Sequence, residues 1–488
     1  MPTWLQSKQK TLMLFRHSSI YILAKLIPGL MAFAALSLYT HLLSPEEYGI
    51  YTLIFSAAVL LHNVIFSWLP AGSLRFWSNQ EFKPGVFTST LATIYLRILA
   101  ILVVFVLAGV YFYWNQPASS WIISTFLLLV TLALFTITQT LLSARIEPFN
   151  YALLTISYAT ISLGFGATFA YLGYGATGVV AGITLGTLIP ALFAFKKIWL
   201  PLKLSSYENK LFKRFVTYGM PLAAAALVEE ITKVSDRFML AILQDKSQAG
   251  FYAAGYDLSG NSILMIMSAI NLAAYPVIIK LLESDGMKPA MDYFKHYVVL
   301  LLGISIPAVV GLNLVGADLV SLLIDEEFQP AVLFLLPWIS SAIFLMGIQV
   351  FYFALAFQLG NQTLSSVKIA LIIAILNVGL NYWLIPTMGI KGAAIATITS
   401  FLLGSILSAY LGQKCFKLPF PWKDFMKIIL SSLIMGGCLW WVKDMRGWGW
   451  LFLQLLIGGM SYLIMMLAFN ILDIRTLLKK KLGLPSSG

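Results

Sequence analysis

Residues 87–113 read FTSTLATIYLRILAILVVFVLAGVYFY, a run of 27 positions that holds one charged side chain, Arg97. An α-helix rises 1.5 Å per residue and needs roughly 20 apolar positions to cross about 30 Å of hydrocarbon, so this run reads as a membrane span. Lys83 stands before it and Trp114 after it, a cation at one flank and an amphipathic ring at the other, as at the two borders of a bilayer. Working outward, comparable runs lie near 18–41, 50–70, 119–142, 150–172, 176–195, 216–243, 250–280, 297–324, 330–358, 365–386, 390–412, 427–442 and 449–472. Only the run at 427–442 falls short of a full crossing. With 59% hydrophobic and 11% charged residues in 488 and a mean hydropathy of +0.86, the chain reads as an all-α polytopic membrane protein of about 14 transmembrane helices.

The basic residues orient it. Of 32 Lys and Arg, 24 lie at the chain ends or in alternate gaps between spans. Four (Lys246, Lys391, Lys443, Arg446) occupy the opposite gaps, and four lie within spans. Cations concentrate on the cytoplasmic side, so both termini are expected there. The net charge of +12 is thereby a topology signal, and its spread over many short loops argues against a nucleic-acid partner. No loop is large enough for a catalytic domain, so a membrane-embedded polymerase, ligase or glycosyltransferase is disfavoured. Cys415 and Cys438 form no metal or redox pattern. Ser44-Pro45-Glu46-Glu47 places an acidic pair in the first outer loop, where a catalytic carboxylate could sit. Its spacing instead matches a capping box that starts the second span, with Ser at N-cap, Pro at N1 and Glu at N3.

Two landmarks recur six spans apart. Gly49-Ile50-Tyr51 is matched by Gly250-Phe251-Tyr252, and Gly175-Ala176-Thr177-Gly178 by Gly389-Ile390-Lys391-Gly392. An even separation keeps both halves in the same orientation, the parallel-repeat arrangement. The expected domains are residues 1–200 and 201–415 as two six-helix lobes, with 416–488 holding two further helices and a cytoplasmic tail.

The run Leu43-Ser44-Pro45-Glu46-Glu47-Tyr48-Gly49-Ile50-Tyr51, together with Tyr218-Gly219-Met220-Pro221, Asp236-Arg237-Phe238-Met239-Leu240 and Gly250-Phe251-Tyr252, resembles polysaccharide flippases of the multidrug/oligosaccharidyl-lipid/polysaccharide exporter superfamily. The resemblance implies two six-helix lobes around a central cavity and two extra C-terminal helices. It also implies translocation of an undecaprenyl-pyrophosphate-linked oligosaccharide, such as an O-antigen or exopolysaccharide repeat unit, across a bacterial inner membrane by alternating access. Membrane lipids and the polysaccharide polymerase machinery are the other expected partners. A multidrug/cation antiporter of the same superfamily is the alternative, and spans thirteen and fourteen argue against it because twelve are usual there.

A charge near the bilayer centre costs about 2.5–3.5 kcal/mol on insertion scales, so each survivor is expected to face protein or a wet cavity. Eight residues are expected at that depth: Lys25, Arg97, Glu229, Glu230, Lys233, Asp236, Arg237 and Asp257. Five of them share an arc of about 120° on span seven at roughly 100° per residue. Lys25, Arg97, Lys233 and Arg237, with Arg75 and Arg145 at the cytoplasmic mouth, are the candidates to bind pyrophosphate and sugar hydroxyls. The competing reading is that Glu229, Glu230 and Lys233 only neutralise one another at i,i+3 and i,i+4. No cofactor is expected. Coupling to protons or sodium would fall to Asp257, Glu229, Glu230 and Asp236. His62 and Asn63 read as an interhelical pair outside the site, and Pro28-Gly29 beside Lys25 is the expected gate.

Overall fold

The computed structural model describes residues 3–77, 82–199, 206–360, 362–445 and 447–473, and among them there is no strand. In chain order the helices are α1 (Thr3–Leu42), α2 (Pro45–Ile65), α3 (Trp68–Phe76), α4 (Pro84–Phe112), α5 (Pro117–Ala144), α6 (Pro148–Phe169), α7 (Gly175–Ile198) and α8 (Asn209–Leu243). There follow α9 (Lys246–Ser284), α10 (Met287–Leu323), α11 (Gln329–Ile348), α12 (Ala354–Leu359), α13 (Thr363–Met388), α14 (Ile390–Cys415), α15 (Trp422–Trp440) and α16 (Trp448–Ala468). Twelve segments are long and apolar enough to cross a membrane, and one of these, 148–198, contains both α6 and α7. Outside the twelve lie the short α3 and also α15, whose first two turns carry Lys423, Asp424 and Lys427. Counting α6 and α7 separately and adding α15 gives the expected fourteen, with α3 and α12 as short continuations of α2 and α11. The chain is a multi-pass membrane protein.

Proline sets four of the starts. Pro45, Pro84, Pro117 and Pro148 each open a helix, where a missing N–H costs nothing and the fixed φ suits the first turn. Ser44 completes the capping box of α2. Its hydroxyl accepts from the Glu47 amide at 3.3 Å, and the Ser44 amide donates to Glu47 Oε2 at 3.3 Å. The acidic pair is therefore a structural device, and Ser44→Ala is expected to cost about 1 kcal/mol in unfolding measurements.

The chain divides into two compact units, residues 1–250 and 251–488. In the first, α7 packs on α5 and α6, α1 lies along α6, and α8 rests on α2 and α3. Small residues allow the close approach of α6 and α7: a Cβ on Gly182 would strike the Gly166 backbone, and one on Gly186 would strike Ser162. Thr187 on α7 donates to Thr131 on α5 at 2.7 Å. In the second unit, α14 packs on α11 and α13, while α10 carries α15 and α16. The Tyr462 hydroxyl donates to the Gly303 carbonyl at 2.6 Å and ties α16 to α10.

The repeat is written in the backbone. Gly175, between α6 and α7, has φ 54° and ψ −142°, and Gly389, between α13 and α14, has φ 54° and ψ −134°. A side chain is strained at that positive φ, which is why glycine stands at both turns. The other landmark pair meets directly. In the first unit the opening turn of α9, up to Gly250, crosses the opening turn of α2, and the amide nitrogen of Gly49 lies 3.0 Å from where a Cβ on Gly250 would stand. Lys246 pairs with Glu46 at 3.2 Å and sits over the Trp121 ring at 4.9 Å.

Candidate functional site

Among the described residues, the stripe on α8 is the densest set of ionisable groups inside a span. Glu229 is exposed, Glu230 and Lys233 are half-buried, and Ser235, Asp236 and Arg237 are buried. One turn of helix separates Glu229 from Lys233, and their charges meet at 2.8 Å. Glu230 turns instead toward α2, where Asn63 Nδ2 donates to its Oε2 at 3.2 Å, and Lys233 and Arg237 both act on its charge. The expected pairing of Glu229 with Lys233 is present, whereas Glu230 takes an amide from another helix. His62 and Asn63 hold α2 to two different neighbours: His62 Nε2 lies 2.9 Å from Thr136 Oγ1 on α5. Asn63 thereby joins the stripe, a part that sequence reading did not assign to it.

Lys25, on α1, is exposed and makes no hydrogen bond or ion pair among the described residues. Pro28 lies inside α1 and brings no N–H for the carbonyl four residues earlier. That carbonyl belongs to Ala24, the residue before Lys25.

The remaining arginines are stacked on rings at one end of the first unit, where α3, α5 and α7 finish and α4, α6 and α8 begin. Arg97 is exposed on α4, with its guanidinium 4.6 Å from the Tyr207 ring centroid. The chain entering α8 is held against α4, because the Glu208 amide donates to Thr90 Oγ1 at 3.1 Å. From its position two turns further along α4, Arg97 therefore reaches back toward the border, as long cationic side chains do. Arg75 stands 6.0 Å from the Tyr218 ring.

Arg145 also has structural partners. It lies 4.6 Å from the Trp77 ring and donates to the carbonyls of Lys197 at 3.3 Å and Ile198 at 3.2 Å, closing the end of α7 where carbonyls lack helical partners. Glu147 pairs with Lys197 at 2.7 Å. Burial pushes the Glu147 carboxyl up, but hydrogen bonds from Lys197 and Asn150 and the charges of Lys197 and Arg145 outweigh it, leaving the group below its usual range. A depressed carboxylate adds stability above its unfolded pKa of about 4.3 and loses it as pH falls through the folded value. Thermal melts between roughly pH 5 and pH 3 should fall more steeply for the wild type than for Glu147→Gln.

In the second unit Asp257 is half-buried on α9. Sequence reading missed Asp318, an acid in the apolar run of α10 that is fully buried against Gln454 of α16 at 2.8 Å. The available signal was simply an acidic residue within 297–324. Asn377 and Asn381 are also buried, with Asn381 Nδ2 donating to Asn377 Oδ1 at 3.1 Å.

Comparison with known proteins gives this architecture relatives. The solved structure titled "Lipid II flippase MurJ, inward closed conformation" superposes with a TM-score of 0.74 at 17% identity, covering 95% of this chain and 100% of that one. An inward-facing multidrug resistance transporter of the MATE family and MOP superfamily matches with a TM-score of 0.57 at 13% identity, covering 80% of this chain and 97% of its own. These establish the fold. Two Haloferax volcanii proteins are similar in sequence. The "Probable low-salt glycan biosynthesis flippase Agl15" is 23% identical over 287 residues, 59% of each chain. The "Probable flippase AglR" is 26% identical over 259 residues, 51% of this chain and 53% of its own. The match thus spans somewhat more than half the length of these curated relatives. The family model described as "Polysaccharide biosynthesis protein" matches residues 14–282. The chain belongs to the polysaccharide biosynthesis protein family.

Proposed function

We propose that this protein is a flippase that carries a polyprenyl-pyrophosphate-linked oligosaccharide across the membrane by alternating access, breaking no bond. The observation that carries the reading is the α8 stripe: five ionisable residues within nine positions of one span, with Glu229 exposed and Lys233 half-exposed. Such groups are expensive in hydrocarbon and persist where they meet water, substrate or one another. Lys25, Lys233 and Arg237 are assigned to the pyrophosphate and sugar, and Arg75 and Arg97 to its approach. Arg145, which also closes the end of α7, is assigned with them to the approach. Coupling to protons or sodium is assigned to Asp257, Glu229, Glu230 and Asp236. The undecaprenyl carrier, an O-antigen or exopolysaccharide unit, the bacterial inner membrane with both termini in the cytoplasm, and the polymerase machinery as partner belong to the same proposal. So does a division into lobes at residues 1–200 and 201–415.

The test is reconstitution of the purified chain in vesicles with a fluorescent lipid-linked oligosaccharide, followed by a membrane-impermeant reagent that destroys the outer-leaflet headgroup. Flipping exposes nearly all of the substrate, whereas half stays protected in empty vesicles. Protection that persists with the protein present, together with ion-driven efflux of a cationic drug, would replace this reading by the antiporter. A covalently changed glycan would replace it by an enzyme.

A further inference from the structure

The seam between α6 and α7 is tight along one part and open along the next. A Cβ on Gly182 would strike the Gly166 backbone and one on Gly186 would strike Ser162, and one turn further along α7 stands Pro190, inside the helix. Proline brings no N–H for the Gly186 carbonyl four residues earlier, and its ring crowds that carbonyl, which bends a helix. From Ile161 and Pro190 onward the two helices flank a groove of about 350 Å³, with the buried Leu142 of α5 as its floor. That volume falls in the range of ligand pockets, roughly 300–1,000 Å³. The lining is apolar apart from Ser157 and, at the far end, Asn150 and Lys197, while Leu153 and Phe193 stand exposed at the rim. Asn150 and Ile161 are about 16 Å apart along α6 at 1.5 Å per residue, half of the ~30 Å of hydrocarbon in a bilayer and so the depth of one leaflet.

The far end is basic. Arg145 donates to the Lys197 and Ile198 carbonyls, and Lys196 is exposed on the same turn. Glu147 holds the Lys197 ammonium at 2.7 Å, yet that side chain is 57% exposed, and an ammonium carries three N–H donors. Donors therefore remain for an anion at the mouth of the groove. We propose that the groove is a binding site for an anionic phospholipid, with one acyl chain between α6 and α7 and the phosphate at Lys197. Apolar walls one leaflet deep match a fatty acyl chain and are indifferent to the headgroup. The cations at the mouth supply the choice, favouring a lipid of net negative charge over a zwitterionic one. A chain in the opened seam gives each helix the contacts that its neighbour does not make there, and so braces the end of α7. Neither oligosaccharide nor transport enters, so the site stands or falls apart from the flippase reading.

The experiment titrates the full chain, purified in detergent and stripped of lipid, with dioleoyl phosphatidylglycerol and separately with dioleoyl phosphatidylcholine. Native mass spectrometry counts bound lipid, and thermal unfolding follows stability. Phosphatidylglycerol should bind and raise the midpoint saturably by several degrees, as any ligand of the folded state does, and phosphatidylcholine should need roughly tenfold more. Lys197→Gln should bring the two lipids close to parity, whereas Glu147→Gln, which frees the Lys197 ammonium, should widen the preference. Ala194→Trp, which fills the groove, should lose the binding of both. Equal affinities of the wild type for the two lipids overturn the proposal, as does a Lys197→Gln chain that keeps the full preference. So does displacement of phosphatidylglycerol by polyprenyl phosphate at a roughly tenfold lower concentration, which would give the groove to the carried lipid. Should Ala194→Trp fail to fold, the wild type decides with a phosphatidylglycerol that bears a photoactivatable acyl chain. Labelling within residues 150–161 or 190–198 is expected, and labelling confined to other segments refutes the site.

Discussion

Gly250→Val is expected to lower the stability of the chain by about 2–4 kcal/mol, the upper range for forcing extra atoms into a packed contact. A Cβ on Gly250 would clash with the Pro45 carbonyl oxygen and approach the Gly49 amide nitrogen to 3.0 Å, and a Cβ on Gly49 would clash with the Lys246 carbonyl oxygen. These obstacles are backbone, which cannot rotate aside as a side chain can. Relief requires the opening turns of α2 and α9 to part. That in turn breaks the Lys246–Glu46 pair at 3.2 Å and lifts Lys246 from Trp121. Once one valine has separated the turns, a second meets little further resistance. Gly49→Val and Gly250→Val should therefore each show most of the loss, and the double variant should fall well short of their sum. Unfolding in a denaturing detergent measures all three. Strict additivity, or a Gly250→Val chain as stable as the wild type, would show that the two turns do not constrain each other.

The helices were legible because hydropathy needs only a local sum, and residues 87–113 announce a span without knowledge of any neighbour. The two repeat glycines were legible for a related reason: a positive φ admits few residues, so Gly175 and Gly389 mark the same turn twice. Helix ends were less so. The helices α8, α9 and α10 run to 35, 39 and 37 residues, because a helix continues through polar turns after the apolar run has ended. Least legible were the partners of the charges. Helical spacing pointed Lys233 at both Glu229 and Glu230, but only the position of α2 reveals that Glu230 takes Asn63. Nothing local says that the end of α7, 52 and 53 residues beyond Arg145, takes hydrogen bonds from it. Asp318 has its partner 136 residues away, beyond the reach of any periodicity.

Under the proposed function, Lys25→Ala should lose most of its transport while folding at least as well as the wild type. Its ammonium is exposed on a membrane helix and has no hydrogen bond or ion pair among the described residues. Among the described residues no interaction offsets the roughly 2.5–3.5 kcal/mol that a centrally placed charge costs, or the smaller cost nearer the border. Removing it therefore threatens the fold little, and the lost property is the attraction for a pyrophosphate. Arg237 contrasts with it. At 8% exposure it acts on Glu230 from within the protein, so Arg237→Ala removes a buried cation from a mixed-charge cluster and opens space in the packing, and is expected to destabilise the fold. That variant should reach the membrane in reduced amount, so its transport has to be normalised to folded protein, with Arg237→Lys as the variant that keeps the charge. Flipping per folded molecule, measured in vesicles, separates the two cases. A Lys25→Ala protein that flips at the wild-type rate would remove α1 from the binding site, and one that fails to fold would make Lys25 a structural residue.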